Sequence, residues 1–572
     1  MSLQSGIILV GRQPAAHENL ALQYLNGAAR NAGIDARVLS MNGFNEITVI
    51  ADEIMMNPSA VIGLSITDAT CAVLLLSLGT TLAQRGYRGH ITCGGGWATL
   101  QRRWLLEHYQ WLDSVVRFDG EAVLPELVAT VVRNGDLHQL AGVTTRNGDG
   151  RPAPVHADVP MNTWPSRDAL PEILNFHAAS LIASRGCMGN CEYCGPAALQ
   201  RLEREEARKN NAVYPCHNGR VRRRTVDDIT DEMAYLYHKR DVRYFGFADE
   251  HLLPTEERAA HAFLDELTQQ LRRKKVRQYG FGGQISASQM TPSLCDALVQ
   301  AGMVRAHLGI DLIDDGNAFG RSGGVEKQFA AVRLLNAAGI PTISNVLLLH
   351  PYATAASMQQ VLRHLNTLDT GYVEFAQMQA FAGTALTEKL RAEGRLFGNP
   401  LRYLYTFDTP ALSRFEQLFA SLRSDAFGRY SIMYRLHEMA YRMALAKRVG
   451  LAPSTRCEQT LERYRKAALA LALQAYADAI RICENSEIID RNVFVNAYRM
   501  GGKLLENAFE KLESDFHSNI AYVPKRSSFT VNAVPLLALL AFSSAAACQD
   551  VTDTLVDTDS TGDTTEKEST AA

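Results

Sequence analysis

Twice along this chain, short apolar runs alternate with amphipathic stretches at the pitch of strand–helix units, and this alternation limits the fold more than any other feature. In the first series GIILVG reads as a buried strand, NLALQYLNGAARNAG as a helix closed by glycine, and ARVLSM as a second strand. AVIGLSI, a helix over VLLLSLGTTLAQRG, HITCGGG and VVRFDGEAVLPELVATVVR follow. Repeated units of this length predict a doubly wound, Rossmann-like parallel sheet over residues 1–150. A proline-rich linker then covers 151–178. The second series opens at SLIASRG and continues through RYFGFAD, QYGFGGQI, VRAHLGIDL, PTISNVLLL and GYVEFAQM, spanning 179–400. That is shorter than the roughly 250 residues of a complete eight-stranded barrel, so a partial (β/α)6 barrel is expected.

From 401 to 525 the texture changes to long helical patterns, such as YRLHEMAYRMALAKRVG and TLERYRKAALALALQAYADAIRICE. These predict an all-α C-terminal domain that packs against the barrel and caps its substrate pocket. The fold class is therefore α/β with a helical appendage. Residues 526–572 hold an apolar segment, VNAVPLLALLAFSSAAAC, followed by a Thr/Asp-rich tail. Lys525 and Arg526 precede the segment and Pro535 interrupts it, so it is marginal as a membrane span. Disorder is the expectation there, with a packed helix, a tail anchor or a segment acted on by an enzyme as alternatives.

Composition closes off other classes. Hydrophobic residues make up 47% and charged residues 21%, the balance of a globular chain. A net charge of −3 gives no electrostatic case for a nucleic-acid partner. Seven of the ten cysteines are scattered (Cys71, Cys93, Cys216, Cys295, Cys457, Cys483 and Cys548), which is not a disulfide framework. MSLQSGIILVGRQ enters a strand directly, without the pattern of a secretory signal, so a reducing cytoplasm is the expected compartment.

The other three cysteines lie within SRGCMGNCEYCG: Cys187, Cys191 and Cys194, spaced C-x3-C-x2-C. Three thiolates on one short loop cannot close a tetrahedral zinc site without a fourth ligand from elsewhere. They can hold three irons of a [4Fe–4S] cube and leave the fourth open. Gly186 and Gly189 let the loop wrap tightly, and its place directly after SLIAS puts it at the mouth of the barrel.

This stretch resembles the signature of the radical SAM superfamily, including the aromatic Tyr193 just before the third cysteine. The resemblance implies a [4Fe–4S] cluster whose open iron chelates S-adenosylmethionine (SAM), and an external electron donor of flavodoxin or ferredoxin type. The family cleaves SAM to methionine and a 5′-deoxyadenosyl radical. Carried over by position, FADE supplies Asp249 and Glu250 near the methionine amino group, with Asp249 the preferred one of the two. Asp311 in LGIDL stands where relatives reach the ribose, Ser286 near a position that is often arginine, and His350 where a glycine is usual.

No G-x-G-x-x-G follows the first strand, where GRQPAAH stands instead. Ser65 and Thr67 in GLSIT, Gly94, Gly95 and Gly96 in ITCGGGWAT, and DGEAVLPEL with Glu121 together resemble the cobalamin-binding domain fused to many radical SAM enzymes. The resemblance runs in the family's order through about residue 380. It implies cobalamin as a further cofactor, held at strand C-terminal ends. The Asp-x-His-x-x-Gly loop that supplies a histidine to cobalt is missing after the first strand, and DLHQLAG (136–142) is one residue too long and far away. Any bound cobalt is therefore expected to lack a protein histidine, with Arg12 and His17 in the first loop placed to face it.

The two-cofactor pairing implies methyl transfer to an unactivated carbon of a small-molecule or peptide substrate. A deoxyadenosyl radical removes hydrogen, and methylcobalamin supplies the methyl group that electrophilic SAM cannot. A cyclase or rearrangement enzyme with the same cofactors is the alternative, and a non-catalytic cobalamin or iron–sulfur sensor the remote one. A methylthiotransferase would need three further cluster cysteines in the first domain, where only Cys71 and Cys93 stand.

Overall fold

The computed structural model describes residues 3–12, 18–153, 164–167, 170–209, 221–310, 325–368, 371–427, 431–451, 453–485 and 490–520. His17, Asp311, Cys216, Cys548, linker residues 154–163, 168 and 169, and the whole 526–572 tail lie outside the described residues.

The first series builds strands β1 (Gln4–Arg12), β2 (Asp35–Met41), β3 (Ser59–Ser65), β4 (His90–Gly94), β5 (Ser114–Val116), β6 (Val143–Thr145) and β7 (Gly148–Asp149). Helices α1 (Leu20–Asn31), α2 (Ile47–Met56), α3 (Ala69–Gln84), α4 (Gly96–His108) and α5 (Val123–Val132) connect them. The sheet order is β2-β1-β3-β4-β5-β6-β7, parallel through β5 and antiparallel at its last two strands. Parallel strands need helices on both faces, and the apolar runs are buried accordingly: Ile7 and Leu9 pack on one side, Ile8 and Val10 on the other.

The second series gives β8 (Glu172–Ile173), β9 (Phe176–Leu181), β10 (Ser184–Arg185), β11 (Arg222–Arg223), β12 (Val242–Phe247), β13 (Gly280–Ile285), β14 (Met303–Ile310), β15 (Thr342–Leu349) and β16 (Tyr372–Gln377). Between them run α6 (Gly195–Lys209), α7 (Val226–Arg240), α8 (Glu257–Arg273), α9 (Pro292–Ala301), α10 (Val325–Ala337) and α11 (Ala355–Leu365). Strands β9, β12, β13, β14, β15 and β16 pair in that order, all parallel, as the expected six-unit partial barrel. The local signals act as they should at α9. Thr291 caps its start, Pro292 opens its first turn and Gly302 closes it in the left-handed region.

After α12 (Ala385–Ala392) comes a hairpin of β17 (Leu396–Asn399) and β18 (Arg402–Tyr405), which straddles the expected boundary at residue 400. Helices α13 (Pro410–Leu422), α14 (Ile432–Arg448), α15 (Thr455–Asn485) and α16 (Arg491–Ile520) complete the described chain. Their apolar faces join the barrel's outer core in one continuous cluster. Within this domain, helix α14 lies at the end of the barrel away from the cysteine loop. Tyr441, Leu445 and Val449 pack on Ala178, Tyr244 and Val304, at the N-terminal ends of β9, β12 and β14. It is the floor of the barrel. Among the described residues no helix is long and apolar enough to cross a membrane.

Candidate functional site

The C-x3-C-x2-C loop leaves the C-terminal end of β9, and its approach is braced before the first cysteine. Asp249, two residues beyond β12 and buried, accepts the Ala183 N–H at 2.9 Å and the Ser184 hydroxyl at 2.6 Å. Burial pushes its carboxyl up to about 6, against the pull of those bonds and of Arg223. Both oxygens are therefore engaged in holding the loop. Glu250 is partly exposed, with no hydrogen-bond partner among the described residues. Burial, and then the charge of Asp249, raise it to about 7. Of the two carboxylates in FADE, each Asp249 oxygen already accepts one bond from the loop, whereas the Glu250 carboxylate accepts none among the described residues.

The three thiols gather on that side. The Gly189 N–H donates to Cys187 Sγ at 3.3 Å, and a Cβ on Gly189 would stand 3.4 Å from Cys187 Sγ and 3.6 Å from Cys191 Sγ. A Cβ at that position would thus sit in ordinary van der Waals contact with both sulfurs, which places the Gly189 backbone directly beside the two thiols. Burial pushes the Cys194 thiol up to about 12; the Ala197 N–H opposes this, and Glu250, Cys191 and Cys187 add to it. Cys194 immediately precedes α6, whose N-terminus favours negative charge, so thiolates and an anionic cluster fit the position. Among the described residues no three His, Cys, Asp or Glu side chains converge on a single metal ion. A cubane makes a different demand, since each thiolate binds its own iron.

Tyr193 packs beside Met378, Leu386 and Tyr405, against the end of β16. Ser286 lies one residue past β13, its hydroxyl 2.8 Å from that of Ser288. His350, one residue past β15, is buried, and its carbonyl accepts the Ala353 N–H at 2.9 Å. The structure thus places Cys187, Cys191, Cys194, Tyr193, Glu250, Ser286 and His350 beyond the C-terminal ends of β9, β12, β13 and β15, on one side of the barrel.

Sequence reasoning missed the polar interior. Cross-strand register puts Gly282 beside Arg305, Gln284 beside His307, and Asn345 between Gly309 and Glu374. Arg305 pairs with Glu438 of α14 at 3.0 Å and lies over the Tyr441 ring. Burial, then Arg305, hold His307 neutral, and the same two influences act on His437. The signal was the alternation in MVRAHLGI, which sets Arg305, His307 and Gly309 on one face of a buried strand.

In the first sheet, Arg12, Ser65 and Gly94 end β1, β3 and β4, with Thr67, Gly95 and Gly96 just beyond. They share the C-terminal edge at the β1/β3 switch point, where open sheets of order 2-1-3-4-5 take ligands. Gly95 has a φ of 106°, and a Cβ there would lie 2.5 Å from the Ile66 carbonyl oxygen, so glycine is needed for α4 to start flush against β3. A Cβ on Gly96 would touch Leu199 of α6 at 3.5 Å. Glu121 lies in the loop that follows β5 on the same edge. Its carboxylate pairs with Arg185 of the cysteine loop. Within DLHQLAG, Asp136 caps a single 3-10 turn at Leu137–Gln139, between α5 and β6 and remote in sequence from β1.

The Radical SAM superfamily model matches residues 181–365, from the end of β9 through α11. The chain carries a radical SAM domain. Among curated proteins it is 22% identical over 334 residues to an "Uncharacterized methyltransferase" of Pyrococcus horikoshii (56% of this chain, 66% of that one). It is 28% identical over 184 residues to the hopanoid C-3 methylase of Methylococcus capsulatus (31% and 35%). It is also 24% identical to the anaerobic magnesium-protoporphyrin IX monomethyl ester cyclase of Cereibacter sphaeroides over 347 residues (57% and 52%). The chain thus spans between a third and two thirds of the length of these relatives. Among solved structures, the cobalamin-dependent S-adenosylmethionine radical enzyme OxsB with aqua-cobalamin bound superposes with a TM-score of 0.61 at 14% identity, over 90% of this chain and 81% of that one. At that identity the likeness shows a shared fold. The radical SAM domain calls for SAM and a [4Fe–4S] cluster, and the cysteine loop has the three thiol donors for the cluster.

Proposed function

We propose that this protein is a cobalamin-dependent radical SAM methyltransferase acting on an unactivated carbon of a small-molecule or peptide substrate. One observation carries the reading. The cysteine loop at the barrel mouth is ion-paired to the C-terminal edge of a parallel sheet of order 2-1-3-4-5, so two ligand-binding edges face each other within one chain. Two relatives named as a methyltransferase and a methylase support the transfer.

Cys187, Cys191 and Cys194 would hold the cluster, with Glu250, Ser286 and His350 lining the SAM side. Arg12, Ser65, Thr67 and the Gly94–Gly96 turn would take the cobalamin. When bound, cluster and SAM supply a hydrogen-abstracting radical, and cobalamin supplies the methyl carrier. The chain's own part is to position and to seal. Asp249 fixes the loop entering Cys187, Gly282 makes room for Tyr244 and Arg305 inside the barrel, and α14 closes the floor against water.

The cyclase relatives favour a second reading, in which the same cofactors close a ring without methyl transfer. Products separate the two. Methyl transfer yields S-adenosylhomocysteine alongside 5′-deoxyadenosine in anaerobic turnover. Deoxyadenosine with no homocysteine product would move the assignment to the cyclase class, and absence of both under strong reductant would remove the enzymatic reading.

A further inference from the structure

The loop that follows β5, Arg117-Phe118-Asp119-Gly120-Glu121, grips both flanks of the cysteine loop. On the upstream flank, Arg185 and Arg222 lie directly opposite each other across the two-residue ribbon of β10 and β11. Like charges in that register repel, and burial makes the repulsion costlier. Asp119 resolves it, with one oxygen 2.8 Å from Arg185 and the other 2.7 Å from Arg222. Glu121 adds a further pair to Arg185, which is only two residues before Cys187. On the downstream flank, Arg117 is almost fully buried and donates to Glu206 of α6, the helix that starts just after Cys194. It also donates to the Val143 and Arg151 carbonyls and to the Thr144 hydroxyl, which ties it into the first sheet.

The loop's conformation is strained toward this arrangement. Phe118 has a φ of 59°, a left-handed conformation that a bulky residue adopts only when its surroundings impose it. The imposing contact is the Phe118 N–H donating to Thr99 Oγ1 at 3.0 Å. The same hydroxyl donates to the Gly95 carbonyl at 2.9 Å. A two-bond chain therefore runs from the glycine turn on the ligand edge of the first sheet to the residues that hold the cysteine loop.

We propose that Arg117, Asp119 and Glu121 are positioning residues that set the cysteine loop against the ligand edge of the first sheet, with Asp119 bridging Arg185 and Arg222 as the central contact. What they align rests on the two-cofactor reading above; the clamp itself rests on the ion pairs. Its consequence is that the cluster loop's rigidity depends on a carboxylate belonging to the other sheet.

The test uses full-length protein, anaerobically reconstituted with iron and sulfide, as wild type, Asp119→Asn, Asp119→Glu and the milder Arg222→Lys. Hydrogen exchange is followed by mass spectrometry in peptides covering 184–195, with peptides from β13 and β14 as controls, beside iron content and the electron paramagnetic resonance of the reduced cluster. Loss of a charge-assisted contact predicts about tenfold faster exchange in 184–195 for Asp119→Asn, with the controls unchanged. Iron content stays at the wild-type level while the cluster signal broadens. Asp119→Glu restores most of the protection, and Arg222→Lys falls between. Unchanged exchange in 184–195, or a rise shared equally by the control peptides, overturns the clamp. Wild-type protein that binds iron but no cobalamin would instead overturn the two-cofactor reading and leave the exchange result to decide the clamp.

Discussion

Replacing Asp249 separates a brace from a ligand contact. In Asp249→Ala the Ala183 N–H and the Ser184 hydroxyl, both buried, lose their acceptor. Each orphaned donor costs about 1–3 kcal/mol, so about 2–6 kcal/mol is lost where the chain enters Cys187. In Asp249→Asn the amide oxygen can accept from Ala183 while the amide N–H donates to the Ser184 oxygen, whose hydroxyl rotates to suit. That exchange costs about 1 kcal/mol. The assay is iron content after anaerobic reconstitution, followed by equilibrium titration with SAM at pH 7.5. Asp249→Ala loses iron, while Asp249→Asn retains it and binds SAM within a few fold of wild type. Glu250→Gln keeps its iron and loses about tenfold or more in SAM affinity, the worth of one charge-assisted hydrogen bond. If Asp249→Asn kept its iron but lost SAM affinity by more than about a hundredfold while Glu250→Gln did not, Asp249 would be the ligand contact and the brace argument would fail.

Gly95→Ala, with φ at 106° and a Cβ 2.5 Å from the Ile66 oxygen, should cost about 2–4 kcal/mol in urea denaturation, whereas Gly33→Ala, with open space around it, should cost about 1. Glu438→Ala strands the buried Arg305 charge and should cost about 3–5 kcal/mol by the same measurement, with Glu438→Gln milder. Burial raises Asp119, but Arg185 and Arg222 outweigh it and bring the carboxyl down to about 2, below its ordinary 3.8. A folded-state value below the unfolded one means that the stabilisation is complete above about pH 4 and is lost as the pH falls toward 2. About 2 kcal/mol of the stability difference between wild type and Asp119→Asn should therefore disappear between denaturation curves taken at pH 5 and at pH 2.

The parallel sheets were legible because buried parallel strands must be apolar on both faces, and GIILVG, AVIGLSI and PTISNVLLL cannot be much else. The cysteine loop was legible because its spacing is local. What sequence could not supply is the partner across a long loop. Asp249 is the better ligand by motif position alone, but sequence does not show that its oxygens also accept bonds from Ala183 and Ser184, 66 and 65 residues away in the chain. Glu121 has the right composition for a ligand edge, but it points across to Arg185, a pairing that depends on how two sheets dock. The helices after 405 announce themselves by periodicity, but periodicity carries no information about which end of a barrel a helix covers, and α14 lies at the floor. Asp311, preferred for the ribose, stands outside the described residues.

The most direct test of the central claim is iron and cobalamin content per chain after anaerobic purification and reconstitution, read by metal analysis and absorption spectrum. The two-cofactor account predicts about four irons and about one cobalamin in the wild type, with iron lost and cobalamin kept in Cys191→Ala. Four irons with no cobalamin would contradict it, leaving a radical SAM protein whose first sheet serves another ligand.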